Sequence, residues 1–251
     1  MEVMLFDGSM EDLLTAVYHV YVDKREPILY RASQYERNLI DEPKNVVYNE
    51  EAFQRVRTSM RQKFSEETLT LISYALNHSD LHSPNLVLRY IMACFRNPGK
   101  AHDYQDELVM KVTKLSRQVS LESHRFTGFV RFSLVGSIYV AKIDPDHDIL
   151  SFIAPHFAER FHEMNFIIYD EKRNEAIVSQ NGFWALKRGL HLDESLLKSD
   201  SSIEKWQQYF NHISIESRAN PKAQKRSMPS RYWKNLPETD RRINHRNPQS
   251  D

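Results

Sequence analysis

Cysteine occurs once in these 251 residues, at Cys94, so the chain closes no disulfide of its own. A lone thiol also excludes an all-cysteine zinc site or a cysteine-held iron–sulfur cluster built by this chain alone. Glycine is scarce, at six residues, and no glycine-rich linker separates one part of the chain from another. No run of 18 apolar residues exists, which excludes a membrane-spanning helix and sets the expectation of no membrane partner. The opening MEVMLFDGSMEDLL is acidic and lacks the basic region and cleavage pattern of a leader, so a mature cytoplasmic protein is expected. Internal repeats are absent too.

What is present can build a core. The apolar fraction is 41%, with three Trp, twelve Tyr and thirteen Phe. The formal net charge of zero hides an asymmetry. Between Arg218 and Arg246 stand nine Lys/Arg and two acids, Glu238 and Asp240, a local charge of +7 against −7 for the remainder. A concentrated basic end can displace counterions from a phosphate backbone, or clamp onto its own acidic body.

Hydrophobic periodicity divides the chain into elements. Val3–Phe6 reads as a strand, and Ser9 with Asp12 resembles a capping box before a helix carrying Leu13, Leu14, Val17 and Val20. Residues 24–48, with Pro27 and Pro43, read as a long connection. Helices are predicted near 49–63, 66–77, 83–95 and 104–121. The period then shortens: Phe126–Leu134 and Ile138–Ile143 read as a hairpin turned at Gly136-Ser137. An irregular turn over 147–153 precedes a helix from Pro155 to Glu163, with Phe157, Phe161 and Met164 inward. Three further strands are predicted at 166–169, 175–179 and 183–186, then a helix at 202–213 and helical turns around 221–227 and 229–235. The fold class is α+β: a helical N-terminal half and a small antiparallel sheet with helices packed on it. Three regions follow, a mainly helical 1–121, an α+β 122–217 and a basic tail 218–251 partly anchored on the body, together one globular unit.

The acidic turn Asp144-Pro145-Asp146-His147-Asp148 invites a metal. Measured against a calcium loop, the sixth position is Ile149 rather than Gly and the twelfth is Pro155 rather than Glu, so that pattern fails and no metal site is assigned. The plainer reading is that these acids cap the turn or helix that follows. His124, Asp146, His147 and His156 are candidates for general acid–base work, with Asp146 or His147 activating water and His124 or His156 assisting. Hydrogen-bonded, half-buried histidines are the commoner case, and no zinc spacing such as H-E-x-x-H is present. His124 and His147 are placed at the ends of the hairpin strands. Arg125, Arg131 and Arg160 could track phosphate or simply solvate a surface. In the tail, Lys225, Arg226, Arg231 and Lys234 could pair phosphates while Trp233 stacks on an unpaired base. Alternatively Met228, Tyr232, Trp233 and Leu236 staple the tail to the body and the cations stay in water.

Three separated blocks carry a resemblance. The central one reads HRFTGFVRF, YVAKIDPDHDIL and APHFAERF; the opening reads FDGSMEDLLTAVYHVY; and the end places Trp206, Tyr209-Phe210, Asn220-Pro221, Met228-Pro229 and Arg231-Tyr-Trp-Lys-Asn-Leu-Pro237 in order. Together they resemble a bacterial family of DNA-metabolism proteins without a settled activity, whose domain is also fused to some uracil-DNA glycosylases. Such proteins are typically encoded beside a radical-SAM protein assigned to DNA modification or repair. The resemblance implies DNA and that radical-SAM protein as partners and carries over no established catalytic residue; no cofactor is assigned from the sequence. The expected function is an accessory protein of DNA repair or modification. The alternatives are a glycosylase-like or nuclease-like enzyme using Asp146/His147 with His124 or His156, and a protein-interaction module without DNA contact.

Overall fold

The computed structural model describes residues 2–37, 40–190 and 228–236. Two compact units divide the chain, Met1–Leu121 and Glu122–Asp251. The expected helix at 202–213, the turn around 221–227 and the polar end from 241 lie outside the described residues.

The first unit holds β1 (Glu2–Phe6), α1 (Met10–Asp23), β2 (Ile28–Arg31), β3 (Glu42–Asn45), α2 (Glu50–Lys63), α3 (Glu66–Leu76), α4 (Ser83–Arg96) and the start of α5 (Glu107–Phe129). It is therefore not simply helical. β2 and β3 flank β1, both parallel to it, in a three-stranded sheet. Each has four residues, too few to show alternation, and draws its definition from pairing with β1 rather than from its own pattern. Pro43 fits because β3 is an edge strand, where one N–H of the ladder can be missing.

The helices start where local chemistry says they should. Ser9, Asn49 and Ser65 accept from the backbone N–H three residues on, at 3.1, 2.8 and 3.2 Å, capping α1, α2 and α3. Their apolar faces meet in one core containing Leu13, Val17, Leu29, Ile72, Ile91 and Val112, all buried. His78, after α3, is also buried. Its Nδ1 accepts from the Asp80 amide at 3.0 Å, so the ring proton sits on Nε2 and is donated to Gln118 Oε1 at 3.0 Å. Burial holds the imidazole below its ordinary 6.5. Its contribution to stability is thus present above about pH 6.5 and is lost as pH falls through the folded value, where Nδ1 must take a proton and release Asp80. In urea unfolding, the wild type should lose more stability between about pH 7.5 and 5 than His78→Gln does. Equal losses would exclude His78 as the titrating group.

The second unit contains the end of α5, β4 (Phe132–Val135), β5 (Ile138–Ile143), α6 (Leu150–Arg160), β6 (Phe166–Asp170), β7 (Glu175–Gln180), β8 (Phe183–Arg188) and a 3₁₀ segment at Ser230–Asn235. Its five strands lie in sequence order. The sheet is mixed rather than antiparallel: β5 and β6 run parallel, Tyr139 facing Phe166 and Ile143 facing Asp170, while the other neighbours are antiparallel. The cause is α6, a crossover that returns the chain in its original direction. α6 begins at Leu150, earlier than the Pro155 boundary expected, and Pro155 sits inside it. One missing backbone donor there is outweighed by burial of Ile153, Ala154, Phe157 and Ala158. Phe132 packs on Phe157, Phe161 and Phe166 with ring centroids 5.5–5.8 Å apart. Met164, expected inward, is exposed. β7 turns into β8 through Asn181 and Gly182, both with positive φ (52° and 77°), the two-residue turn whose twist matches a hairpin.

α5 also runs further than expected. Residues 126–129 are helical, so the first hairpin strand is β4 alone, starting at Phe132. Phe126 and Val130 satisfy both periods. The helical one prevails because Phe126 and Phe129 then pack on Tyr232, at 5.1 and 6.0 Å between centroids.

Candidate functional site

The buried stripe of α5 passes through Val112, Leu115, Val119 and Phe126. Glu122 falls in phase with it, an acid where an apolar residue belongs, and is 2% exposed. Such a group needs full satisfaction. Its Oε1 accepts from the Asp146 amide at 2.8 Å and its Oε2 from the His147 amide at 2.8 Å. The Tyr232 hydroxyl donates to Oε1 at 2.6 Å. Burial raises the Glu122 carboxyl above its usual value, and the three hydrogen bonds pull against that. Burial, then the Glu122 acceptor, raises the Tyr232 phenol, which stays protonated and donating.

The same acidic turn is held from its carbonyl side by a cation. Arg173, in the connection between β6 and β7, donates to Pro145 O at 3.3 Å and to Asp146 O at 2.9 Å. It is aimed by Asp170, whose Oδ2 lies 2.7 Å from Arg173 Nη1 and whose side chain is fully buried. Burial raises the Asp170 carboxyl, and Arg173 counteracts the shift. The turn is thus clasped by two side chains of opposite sign, Glu122 on its N–H groups and Arg173 on its C=O groups. The acids were expected to cap the turn or helix that follows; α6 begins at Leu150 with Ile149 at its N-cap position and no side-chain cap.

Residues 228–236 fasten onto this clasp as a strap. Tyr232 and Leu236 are buried at 5% and 2% exposure. Arg231 Nε pairs with Asp146 Oδ2 at 2.6 Å, its Nη2 donates to the Tyr232 hydroxyl at 2.9 Å, and its guanidinium lies 4.6 Å from the Tyr232 ring centre. Lys234 pairs with Glu171 at 2.7 Å, and Lys142 reaches the same carboxylate at 2.9 Å. These lysines, the hydrogen bond from Lys234 foremost, hold Glu171 below the usual carboxylate range. Trp233 Nε1 donates to Met228 O at 2.9 Å. The space left beside Phe126, Phe129 and Tyr232 is about 10 Å³, room for one water and no substrate.

The sequence candidates are dispersed over this frame. Asp146 and His147 are in the clasped turn, Asp146 held by Arg231 and His147 half-buried with its amide on Glu122. His124 and Arg125 lie on α5, not at a strand end, and His124 is exposed. Arg131 donates to Gly128 O at 2.7 Å and Val130 O at 3.2 Å, closing the C-terminal end of α5. His156 and Arg160 are exposed on α6, the latter over the Phe161 ring at 5.8 Å. Arg231 and Lys234 are in ion pairs, and the indole N–H of Trp233 is held within the strap. Lys225 and Arg226 lie outside the described residues. Among the described residues no group of three or more His, Cys, Asp and Glu is arranged to hold a metal ion. Glu122, Asp170 and Arg173 were not among the candidates. Only Glu122 had a readable signal, its phase on the apolar stripe.

Residues 82–238 match DUF4130, a family described as a domain of unknown function. Among curated proteins and among solved structures nothing matches the chain.

Proposed function

On the premise that the chain belongs to the DUF4130 family, we propose that it is an accessory protein of a DNA repair or modification system, binding DNA and acting beside a radical-SAM protein. The observation that carries the reading is the charge left over at the basic end. Of nine cations between Arg218 and Arg246, Arg231 and Lys234 are neutralised by Asp146 and Glu171 and serve as fasteners. The other seven flank the strap in sequence, Arg218, Lys222, Lys225 and Arg226 before it and Arg241, Arg242 and Arg246 after it. Division of labour follows: the strap fixes the segment to the second unit, and the flanking cations meet phosphate. The three-block resemblance to DNA-metabolism proteins supports the same context. Asp146 lends little to an enzymatic reading, since its carboxylate is already engaged by the Arg231 guanidinium and the Tyr232 hydroxyl.

Fluorescence anisotropy with single-stranded DNA over a salt series tests the proposal on the full chain. Lys222→Gln/Lys225→Gln/Arg226→Gln should weaken binding and reduce the slope of log K against log salt by about 2, at roughly 0.7 per lost phosphate contact. An unchanged slope, or no binding by the wild type, would overturn the assignment and favour a module that docks only on protein.

A further inference from the structure

We infer that the first unit carries a second, separate site: a cleft between α1, α2 and the C-terminal end of α4 that binds a nucleotide, the base against Tyr21 and Phe95 and phosphate on Arg55 and Lys63. The cleft has a volume of about 390 Å³, within the usual range for small-ligand sites. Helical spacing assembles it. Arg55, Ser59 and Lys63 recur every four residues along one row of α2, about 6 Å apart by the helical rise. Tyr18 and Tyr21, three apart, face them from α1.

Each wall supplies something a nucleotide needs. Tyr21 stands edge-on to Phe95 at 5.8 Å, yet remains 48% exposed, an aromatic surface only partly covered by the protein. Ser59 donates its proton to Arg55 O at 2.9 Å, so toward the cleft its hydroxyl offers lone pairs, suited to a base N–H. Lys63 Nζ lies 5.7 Å from the Phe95 ring centre. Among the described residues no acid pairs with Arg55 or Lys63. That sets them apart from Arg231 and Lys234, whose charge is already answered. Unanswered cations at both ends of a row, with a hydroxyl acceptor between them and aromatic faces opposite, fit a base flanked by phosphate. An acidic peptide would use the cations and leave the aromatic faces and Ser59 idle.

The ligand could be a free mononucleotide or a nucleotide within a single strand. Isothermal titration of the full chain with deoxyadenosine monophosphate, a short oligodeoxyadenylate and an oligoglutamate separates the cases. Binding of the mononucleotide with an affinity close to that of the oligomer assigns a free nucleotide; binding of the oligomer alone assigns a strand. In either case Tyr21→Ala and Arg55→Gln/Lys63→Gln should each weaken binding about tenfold or more. Both target exposed side chains, so thermal unfolding should stay unchanged. The Lys222/Lys225/Arg226 variant should keep its response to Tyr21→Ala, which separates this site from the basic end. No binding of either nucleotide probe, indifference to both cleft variants, or equal binding of oligoglutamate would overturn the inference.

Discussion

Glu122→Ala should cost the protein about 2–5 kcal/mol, because each buried donor left without an acceptor costs roughly 1–3 kcal/mol. The Asp146 and His147 amides lose their acceptor at once, and the Tyr232 hydroxyl keeps only its longer contact to Asp146 Oδ2 at 3.2 Å. The hydroxyl cannot turn to solvent without opening the strap, because Tyr232 is 5% exposed. Trp233 fluorescence and protease susceptibility near residues 228–236 should therefore change along with the urea midpoint. The milder Glu122→Gln isolates the charge. Burial raises the wild-type carboxyl above 4.5, so the folded chain keeps this proton over a pH range where the unfolded chain has released it. That contribution is complete below about pH 4.5 and declines as pH rises through the folded value. Plotted against pH, the stability difference between wild type and Glu122→Gln should shift toward the variant on going from pH 4.5 upward. A difference independent of pH would mean that Glu122 carries no shifted proton.

The helices around the first core were legible because an apolar stripe of period 3.6 and a Ser or Asn cap reinforce each other at α1, α2 and α3. Failures have physical causes. β2 and β3 are four residues each, and their place is decided by hydrogen bonds to β1, which local sequence does not display. Reading Pro155 as a breaker shortened α6, and with it went the crossover that makes β5 and β6 parallel. At the end of α5 two periods fit the same residues, and only Tyr232, about a hundred positions away, decides between them. The site follows the same logic. Glu122 is conspicuous once its phase is counted along the stripe through Val119 and Phe126. Asp170 and Arg173 look in sequence like an ordinary solvated i, i+3 pair. Only the approach of the Pro145–Asp146 backbone turns them into a support. Charge was legible as a total and not as a distribution, because Arg231 and Lys234 read the same as their neighbours until Asp146 and Glu171 are seen beside them.

That support is also the weakest link if its cation is lost. Arg173→Ala should destabilise the protein by about 3–5 kcal/mol near neutral pH, since Asp170 would be left as an unpaired carboxylate at 0% exposure. Two carbonyls of the acidic turn would lose their donor in the same step. Burial already raises the Asp170 carboxyl even with Arg173 pulling it down, so removing the cation raises it further. Protonation then offsets part of the damage, and the deficit should be largest near neutrality and shrink as pH falls through the new value. Asp170→Asn supplies the neutral counterpart. Arg173→Ala/Asp170→Asn should be less damaged than the sum of the two single changes, because the buried charge is gone. Additive losses would mean that Arg173 acts through the turn carbonyls alone. The route outward from Arg173 is short: the turn it steadies carries Asp146, and Asp146 holds Arg231. Loosening it should release the strap in step with the global loss, so Trp233 fluorescence and the urea transition should shift together in Arg173→Ala as they do in Glu122→Ala.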